Sequence, residues 1–428
     1  MNIYDVIVEM PVIDNHTHPK ASFFASVDKS TLCLKDSVSL FSIADLQSQM
    51  KDLAFREILQ TSHGIRDFEK ELLNYQHARG NTAFERLQAE IRGELHSDQK
   101  EIKDGSAPGP STRRSEPHHG KVSDMTYEAV FRQLNIKKAL VNDTDLLLQI
   151  PGIVFWVPYL DQFIFIKDNT PYKRMRFQLE RIIGRYEAAL ENTKRALGAD
   201  PVTFSQFLEF IDSGLMYFKQ LGCPAMKIHC AYARSLRFNP VSHSKAEILF
   251  EVPSLQPGEY KDLQDFLMRF SLERCIAHGL PVQIHTGMGG PSSGLFLSNA
   301  NCCNLQDIFI DDELRQLKVV ILHGGYPFFR EAGYLASNYA NVYLDFSWLS
   351  ILFKSALVGF LEEWLDIVPY NKLLFGTDAW TPEHQCCGVI NGKRALAQAL
   401  KDELWGKKMA IEIARAVLYN NAAKLYGL

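Results

Sequence analysis

The sequence lacks the features that mark nucleic-acid-binding, secreted or membrane proteins. Its net charge is only −4, and 46% of its residues are hydrophobic and 22% charged, so a nucleic-acid partner is not indicated. The stretch MNIYDVIVEM has no basic region followed by an apolar one, and we therefore expect no secretory signal and a cytoplasmic protein. Proline, aspartate and glutamine interrupt the most apolar window, residues 146–166. We read that window as a buried strand with flanking loops, and we expect no membrane partner.

Cysteine motifs are also missing, although the chain has eight cysteines. No C-x-x-C pair occurs, and the spacing matches no zinc finger or ribbon. In a chain of 428 residues with no recognisable signal sequence, we interpret these cysteines as reduced thiols. No G-x-G-x-x-G follows an apolar run either, which disfavours an open, doubly wound dinucleotide-binding sheet.

Short apolar runs rich in β-branched residues recur along the chain, and most are separated by stretches with helical periodicity. The predicted strands cover residues 11–17, 136–142, 152–158, 225–230, 281–286, 318–324, 341–346 and 372–377. Helices are predicted over residues 171–198, 203–222, 259–279, 305–317 and 327–340. This repeated strand–helix alternation predicts an α/β fold, a (β/α)8 TIM barrel, with the doubly wound sheet as the alternative.

We predict that residues 1–428 form one barrel domain with a single large insertion. The segment 20–135 is too long for one crossover, so we expect a helical insertion after the first strand that caps the barrel mouth. Within it, residues 98–120 are polar and rich in Gly, Pro and Ser, which predicts an exposed loop.

The carboxyl ends of the predicted strands carry an unusual set of polar side chains. They are His16, His18, Lys227, His229, His285, His323, Asp345 and Asp378. His16 and His18 lie two residues apart in IDNHTH, so a strand would place both on one face. A single histidine at such a position is more often structural. Repeated around the functional end of a barrel, however, histidine and carboxylate predict a site for a divalent Zn, Fe or Mn ion.

Four longer strings are more specific. They are LPVQIHTGMGG, VVILHGGYPFFREAGYLASNYANVYLDFSW, LLFGTDAWTPE and NNAAKLYGL. They resemble the amidohydrolase-related branch of the amidohydrolase superfamily. That branch includes aminocarboxymuconate-semialdehyde decarboxylase and the amidohydrolase-like domain fused to glutamine synthetase in nodulin-type and fungal sporulation proteins. The resemblance is good from about residue 205 onward and weaker over residues 20–200.

The resemblance implies a metal centre and a catalytic role for two residues. His16, His18, His285 and Asp378 would bind the metal, and Asp378 would also accept a proton from the bound water. His323 would lie beside that water as acid, base or electrostatic stabiliser. Zinc is the favoured ion, with iron and manganese as alternatives.

The resemblance also implies substrate-binding residues. Lys227 would bridge two ions if it is carboxylated; with one ion, which we favour, it would bind substrate or pair with a buried carboxylate. Arg234 would hold a substrate carboxylate, or it is a solvated loop arginine. Tyr326 and Trp380 would line the pocket, or they pack beneath a loop.

Three functions are compatible with this pattern. The first is hydrolysis of a C–N bond in a small-molecule amide, for which a γ-glutamyl or other amino-acid-derived amide is the expected substrate. The second is non-oxidative decarboxylation of an unsaturated or aromatic acid by the same kind of metal centre. The third is a non-catalytic barrel that serves as a binding or scaffold protein. A homo-oligomer is compatible with all three.

Overall fold

A computed structural model gives the structure of the protein over most of the predicted barrel. It describes residues 3–19, 127–144, 148–175, 177–289, 295–353, 356–380, 382–401 and 405–428. Contacts divide the chain into one unit of Met1–Ala21 with Val130–Leu428 and another of Ser22–Ala129. The first unit contains the strands described below. The predicted insertion 20–135 lies outside the described residues up to position 126, as does its loop 98–120, so both stay predictions.

All eight predicted strands are present, each within the range expected from sequence. They are β1 (Val12–Thr17), β2 (Ile136–Asn142), β3 (Val154–Val157), β4 (Met226–Ile228), β5 (Val282–Ile284), β6 (Val319–Ile321), β7 (Val342–Asp345) and β8 (Leu373–Leu374). They pair in the orders β1-β2-β3 and β4-β5-β6-β7-β8, and every pairing is parallel.

Backbone hydrogen bonds join the two sheets at both of their edges. The N–H of Lys227 donates to the carbonyl oxygen of Pro158 over 2.8 Å, and Lys227 forms a parallel bridge with Tyr159. On the opposite side, the N–H of Asn15 donates to the carbonyl oxygen of Phe375 over 3.0 Å. The strands therefore follow one another around a ring, and the predicted (β/α)8 barrel is confirmed.

Helices occupy much of the described chain between the strands. The described α-helices are Ile3–Val8, Tyr127–Gln133, Thr170–Met175, Phe177–Leu197, Phe204–Gln220, His243–Glu251, Pro257–His278, Leu297–Ala300, Gln306–Ile310, Phe329–Asn338, Leu349–Leu352, Ala356–Ile367, Pro382–Ala399, Gly406–Arg415 and Asn421–Tyr426. None of these described helices combines the length and apolar character needed to cross a membrane.

The end of one helix was predicted correctly, whereas the extent of another was not. Pro257–His278 ends at Gly279 with φ +67°, the left-handed cap expected of a glycine there. The helix predicted over residues 305–317 is wrong beyond Ile310. The Asp311 carboxylate accepts hydrogen bonds from the backbone N–H groups of Glu313 and Leu314 over 2.9 and 3.2 Å, and these bonds replace the helical pattern.

The helix Asn421–Tyr426 packs against the strands. Leu425 and Tyr426 form a buried cluster with Ile13 of β1, Leu140 of β2 and Leu374 of β8. The ring of Tyr426 is apolar and its hydroxyl is not, so the hydroxyl needs a polar partner inside the protein.

Gly376 occupies a crowded position between β8 and the end of the barrel. A Cβ at Gly376 would lie 2.8 Å from the Oδ2 atom of Asp345, 2.9 Å from the Cβ of Ser347 and 3.4 Å from the Cβ of His16. We expect Gly376→Ala to lower the free energy of unfolding by about 1–3 kcal/mol, because those neighbours are tightly bonded and must move. Urea denaturation measures this. Gly359→Ala is the control, since a Cβ there meets nothing within 4 Å; equal destabilisation by both changes would contradict the crowding argument.

Candidate metal centre

Three side chains from the ends of β1 and β8 converge on one point. The Nε2 atoms of His16 and His18 each lie 3.2 Å from the Oδ1 atom of Asp378. Their potential ligand atoms all lie within 4.8 Å of one another. The strand alternation of IDNHTH places the two imidazoles side by side, with ring centroids 4.9 Å apart. Three of the four predicted ligands are therefore brought together.

A sharp turn aims Asp378 back at the histidine pair. Asp378 has φ +57°, a left-handed conformation that aspartate tolerates better than most residues, and its N–H donates to the carbonyl oxygen of His16 over 2.7 Å. The preceding Thr377 donates its N–H and hydroxyl to the buried carboxylate of Asp14 over 2.8 and 2.6 Å. The amide of Gln385 also donates to that carboxylate. Asp14 therefore fixes the local structure beneath the histidine pair.

A series of buried amides fixes the tautomer of His16. The Nε2 atom of Gln283 donates to the carbonyl oxygen of Asn15 over 2.8 Å, and a carbonyl can only accept. The Oε1 atom of Gln283 must then accept from the Nδ2 atom of Asn142 at 2.6 Å. This leaves the Oδ1 atom of Asn142 to accept from the Nδ1–H of His16, also at 2.6 Å. Burial lowers the pKa of His16 well below its usual value, so its Nε2 presents a lone pair to the centre.

The protonation states of His16 and Asp378 are those that a divalent metal ion requires of its ligands. Burial acts to raise the pKa of Asp378, but charge interactions and hydrogen bonds with His16, His323 and His18 lower it well below its usual range. These interactions require a proton, or a metal ion in its place, between the imidazole and the carboxylate. An ionised carboxylate oxygen and an imidazole lone pair thus face each other 3.2 Å apart. Two electron-rich atoms at this distance repel unless a proton or a metal cation lies between them. Neutral imidazole and carboxylate are the ligand forms for zinc and related ions, so the residues present fit the metal.

The fourth predicted ligand, His285, lies outside this group but has a suitable tautomer. The hydroxyl of Ser347 donates to Asp345 over 2.9 Å, so its oxygen accepts from the Nδ1–H of His323 at 3.0 Å. The Nε2 of His323 then accepts from the Nδ1–H of His285, again at 3.0 Å. His285 keeps a lone pair on Nε2, a buried atom with no hydrogen-bond partner among the described residues. Its role as a ligand stays a prediction.

His323 lies directly beside the centre. Its Nδ1 atom is 3.8 Å from the Oδ2 atom of Asp378, and its backbone N–H donates to Asp345 over 2.8 Å. Burial lowers the pKa of His323 to about 4, so the ring is neutral near pH 7. Asp345 therefore supports the backbone of His323. Both ring nitrogens of His323 have protein partners, Ser347 and His285.

The side chain of Lys227 on β4 is almost completely buried. Its Nζ atom is buried and has no hydrogen-bond partner among the described residues. Burial lowers the pKa of Lys227 to about 7, although Asp378, Asp345 and Asp161 act in the opposite direction. A large fraction of such lysine is the neutral amine near pH 7, which is the form that carboxylation requires. Carboxylation, and with it a second ion, stays a prediction.

Arg234 differs from both sequence-based interpretations. Its side chain is buried, so it is not a solvated loop arginine, and its guanidinium pairs with the buried carboxylate of Asp265. It also donates to the Oε1 atom of Gln264 over 3.2 Å and to the carbonyl oxygen of Arg237 over 3.0 Å. These partners occupy the donors that a substrate carboxylate would need.

The two predicted aromatic residues have different surroundings. Trp380 is 36% exposed, and its ring lies edge-on to His18 with centroids 6.2 Å apart. Tyr326 packs against Phe353 and Phe360 with centroids 4.5 and 5.8 Å apart. Trp380 thus borders the centre, whereas Tyr326 belongs to an aromatic cluster.

Sequence reasoning missed the amides that orient His16. The predicted site contains charged and imidazole side chains but neither Asn142, at the end of β2, nor Gln283, within β5. A usable signal was present, because each is the polar residue of an otherwise apolar strand end, ALVN and PVQI. A buried amide in such a position needs partners, and here the partners lead to the metal ligand.

The amide of Asn142 should matter for metal affinity. We expect Asn142→Leu to weaken metal binding about 10- to 100-fold, because His16 then loses the acceptor that fixes its tautomer and orientation. Competition against a chelator measures the affinity. The control is Asn169→Leu, which also removes a buried asparagine but one that bonds to Phe165 and Glu187. Equal losses in both variants would point to general destabilisation.

Comparisons with known proteins agree with this geometry. Residues 252–428 match the family model described as Amidohydrolase. Protein fluG of Emericella nidulans is 33% identical over 181 residues, which are 40% of this chain and 20% of fluG. The chain thus spans about a fifth of the length of that curated relative.

Solved structures share the fold over nearly the whole chain. A Lactobacillus casei protein described as a metal-dependent hydrolase aligns with a TM-score of 0.64 at 19% identity, covering 100% of this chain and 97% of that one. The uronate isomerase of Thermotoga maritima aligns with a TM-score of 0.61 at 16% identity, covering 99% and 96%. At these identities the likeness is one of fold. The family match covers residues 252–428, so the carboxyl-terminal part of the chain is similar in sequence to amidohydrolases.

Proposed function

We propose that this protein is a metal-dependent hydrolase that cleaves the C–N bond of a small-molecule amide. The observation that carries the proposal is the convergence of His16, His18 and the ionised Asp378 on one point. A γ-glutamyl or other amino-acid-derived amide is the proposed substrate, supported by the resemblance to a domain fused to glutamine synthetase. That choice of substrate is an analogy.

His16, His18, Asp378 and His285 would hold one divalent ion, with zinc as the first choice. When bound, such an ion supplies a water of lowered pKa and polarises the scissile carbonyl. The Oδ1 atom of Asp378 faces the histidine pair at 3.2 Å. Its Oδ2 atom would take the proton of the attacking water and deliver it to the leaving amine.

His323 would act mainly as an electrostatic neighbour of Asp378. It lies 3.8 Å from the Oδ2 atom of that residue, and its ring nitrogens are engaged by Ser347 and His285. The buried amine of Lys227 would bind a substrate oxygen, and Trp380 would form one wall of the pocket. These two contacts would orient the amide over the centre.

The alternatives have less support. A decarboxylase needs a cation to seat the substrate carboxylate, and the expected Arg234 is paired with Asp265 instead. A scaffold protein gains nothing from burying an ionised Asp378 among neutral histidines, an arrangement that is costly without a ligand. Hydrolysis therefore remains the favoured chemistry.

Metal analysis combined with a product-resolved screen tests the proposal. Protein purified without chelators is assayed for bound metal, then offered γ-glutamyl amides, N-acyl amino acids, aromatic acids and a uronate. We expect about one divalent ion per chain and release of an amine. Release of CO2 would favour the decarboxylase, and ketose formed from the uronate would favour an isomerase, as in the structural neighbours. Negligible metal without turnover would favour the scaffold.

A further inference from the structure

His229, just beyond β4, is a histidine that the proposed chemistry does not use. Its ring is stacked between two tyrosines, with centroids 4.4 Å from Tyr232 and 5.4 Å from Tyr159 and interplanar angles of 27° and 26°. Its backbone N–H donates to both carboxylate oxygens of Asp161, over 3.1 and 2.9 Å. Both faces of the imidazole are therefore covered, and a ligand can reach only an edge.

Tyr186 occupies one of these edges and determines the tautomer. Its phenolic oxygen lies 2.6 Å from the Nδ1 atom of His229, and Tyr186 is 1% exposed. The described residues offer this hydroxyl no other acceptor, and a buried O–H group needs one, so it donates to Nδ1. Burial, together with Asp161 and Tyr159, raises the pKa of Tyr186 well above its usual value, so the phenol keeps its proton. His229 must then carry its own hydrogen on Nε2.

The ring of His229 lies beside the ring of His285, a predicted metal ligand. The residue is only half-buried, and its ring centroid is 5.6 Å from that of His285. The described residues provide no hydrogen-bond partner for Nε2. A rigid N–H donor with no partner among the described residues thus lies next to a predicted metal ligand.

We propose that the Nε2–H of His229 binds a carbonyl or carboxylate oxygen of the substrate, and that Tyr186 is the positioning residue that sets this tautomer. The inference rests on the proposed function, because the oxygen would belong to the amide or to the acid formed from it. A fixed, preorganised donor binds an oxygen without having to reorient. It also rejects a cationic or N–H group at the same position, since two donors cannot pair.

The tautomer can be measured directly by ¹⁵N NMR of the metal-loaded protein with labelled histidine. The His229 signals are assigned as those lost in His229→Gln, or in His229→Asn if the first variant does not fold. We expect the proton on Nε2 in the wild type and a mixture of tautomers in Tyr186→Phe. Tyr172→Phe is the matched control, because it removes a tyrosine hydroxyl that donates to Gln264 and should leave the His229 signals unchanged. A proton on Nδ1 in the wild type would overturn the proposal.

Binding of an acceptor oxygen is tested in the same samples with acetate, and methylammonium is the probe that lacks an acceptor. Acetate should shift the Nε2 signal of His229, and methylammonium should not. Because only the Nε2–H tautomer of His229 can bind acetate, the acetate dissociation constant should rise about two- to fivefold in Tyr186→Phe and stay unchanged in Tyr172→Phe. No shift at saturating acetate, or equal weakening in the two variants, would refute the role. Amide turnover is not measured in either arm, so failure here is distinguishable from failure of the proposed hydrolysis.

Discussion

Replacing Asp378 with asparagine should lower amide turnover by about 10³- to 10⁴-fold while the fold is retained. The carboxylate has two proposed roles, as a metal ligand through Oδ1 and as the proton acceptor through Oδ2. An amide cannot act as the proton acceptor. The backbone should tolerate the change. Asparagine adopts the left-handed conformation as readily as aspartate, and Asp378 has φ +57°. Steady-state kinetics, metal content and thermal denaturation are measured on the same preparation.

A matched control exists elsewhere in the barrel. Asp212 contacts the Nε2 of His278 at 2.8 Å, so Asp212→Asn also alters an aspartate–histidine pair, but one outside the centre. It should leave turnover and metal content unchanged. His16→Ala should abolish activity too and lower the bound metal, since it removes a ligand without touching the proton acceptor. A fully active, fully metallated Asp378→Asn protein would remove Asp378 from both proposed roles.

Replacing Lys227 with methionine should abolish turnover and yet stabilise the metal-free protein. The folded-state pKa of Lys227 is about 7, against an ordinary value of 10.5. Between those two pH values the unfolded chain binds a proton that the folded chain has released, so stability rises with pH across that window. Below pH 7 both states are charged, and the folded protein bears the full cost of a buried, unpaired ammonium. We therefore expect Lys227→Met to raise the free energy of unfolding by about 2–4 kcal/mol at pH 6, with a smaller gain at pH 9.

Urea denaturation with a chelator present, at both pH values, measures this difference. Lys393→Met is the control, because Lys393 is also buried and burial lowers its pKa to about 8. The Nζ of Lys393, however, donates to the carbonyl oxygen of Val8 over 2.8 Å. Its loss leaves that carbonyl unpaired, so no comparable gain is expected. A gain in Lys227→Met that does not depend on pH would exclude desolvation of the lysine as its cause.

The barrel could be predicted from the sequence because its strands are encoded locally. Apolar, β-branched runs bounded by turns identify a strand without reference to its neighbours. The same locality identified His16, His18 and Asp378, since parallel strands bring their carboxyl ends to one edge wherever they lie in the chain. This explains why residues more than 350 positions apart were placed in one site: Thr377, adjacent to Asp378, bonds Asp14 across 363 residues.

The side chains that orient the predicted metal ligands could not be predicted in the same way. Whether an amide faces a histidine depends on which strands are adjacent and how their registers align, and Asn142 and Gln283 are 141 residues apart. Arg234 shows the same limit. One interpretation of Arg234 from sequence was a contact with a substrate carboxylate. Its guanidinium instead pairs with Asp265 on the helix Pro257–His278, and the packing of that helix cannot be predicted from local sequence. The helix predicted over residues 305–317 failed because the side-chain bonds of Asp311 compete with helical bonding.

The hydrogen bonds of Tyr426 also bear on how the site is made during biosynthesis. The Tyr426 hydroxyl bonds Asn15 across 411 residues and accepts from Gln283 over 2.9 Å, which places it in the amide series that orients His16. A ribosome releases His16 and His18 early, when the nascent chain contains neither Asp378 nor Tyr426. Until residue 426 has been translated, the His-Thr-His segment at residues 16–18 lacks the complete amide series that orients His16. We therefore expect the full metal affinity to develop only once Tyr426 has packed against the strands and completed the amide series.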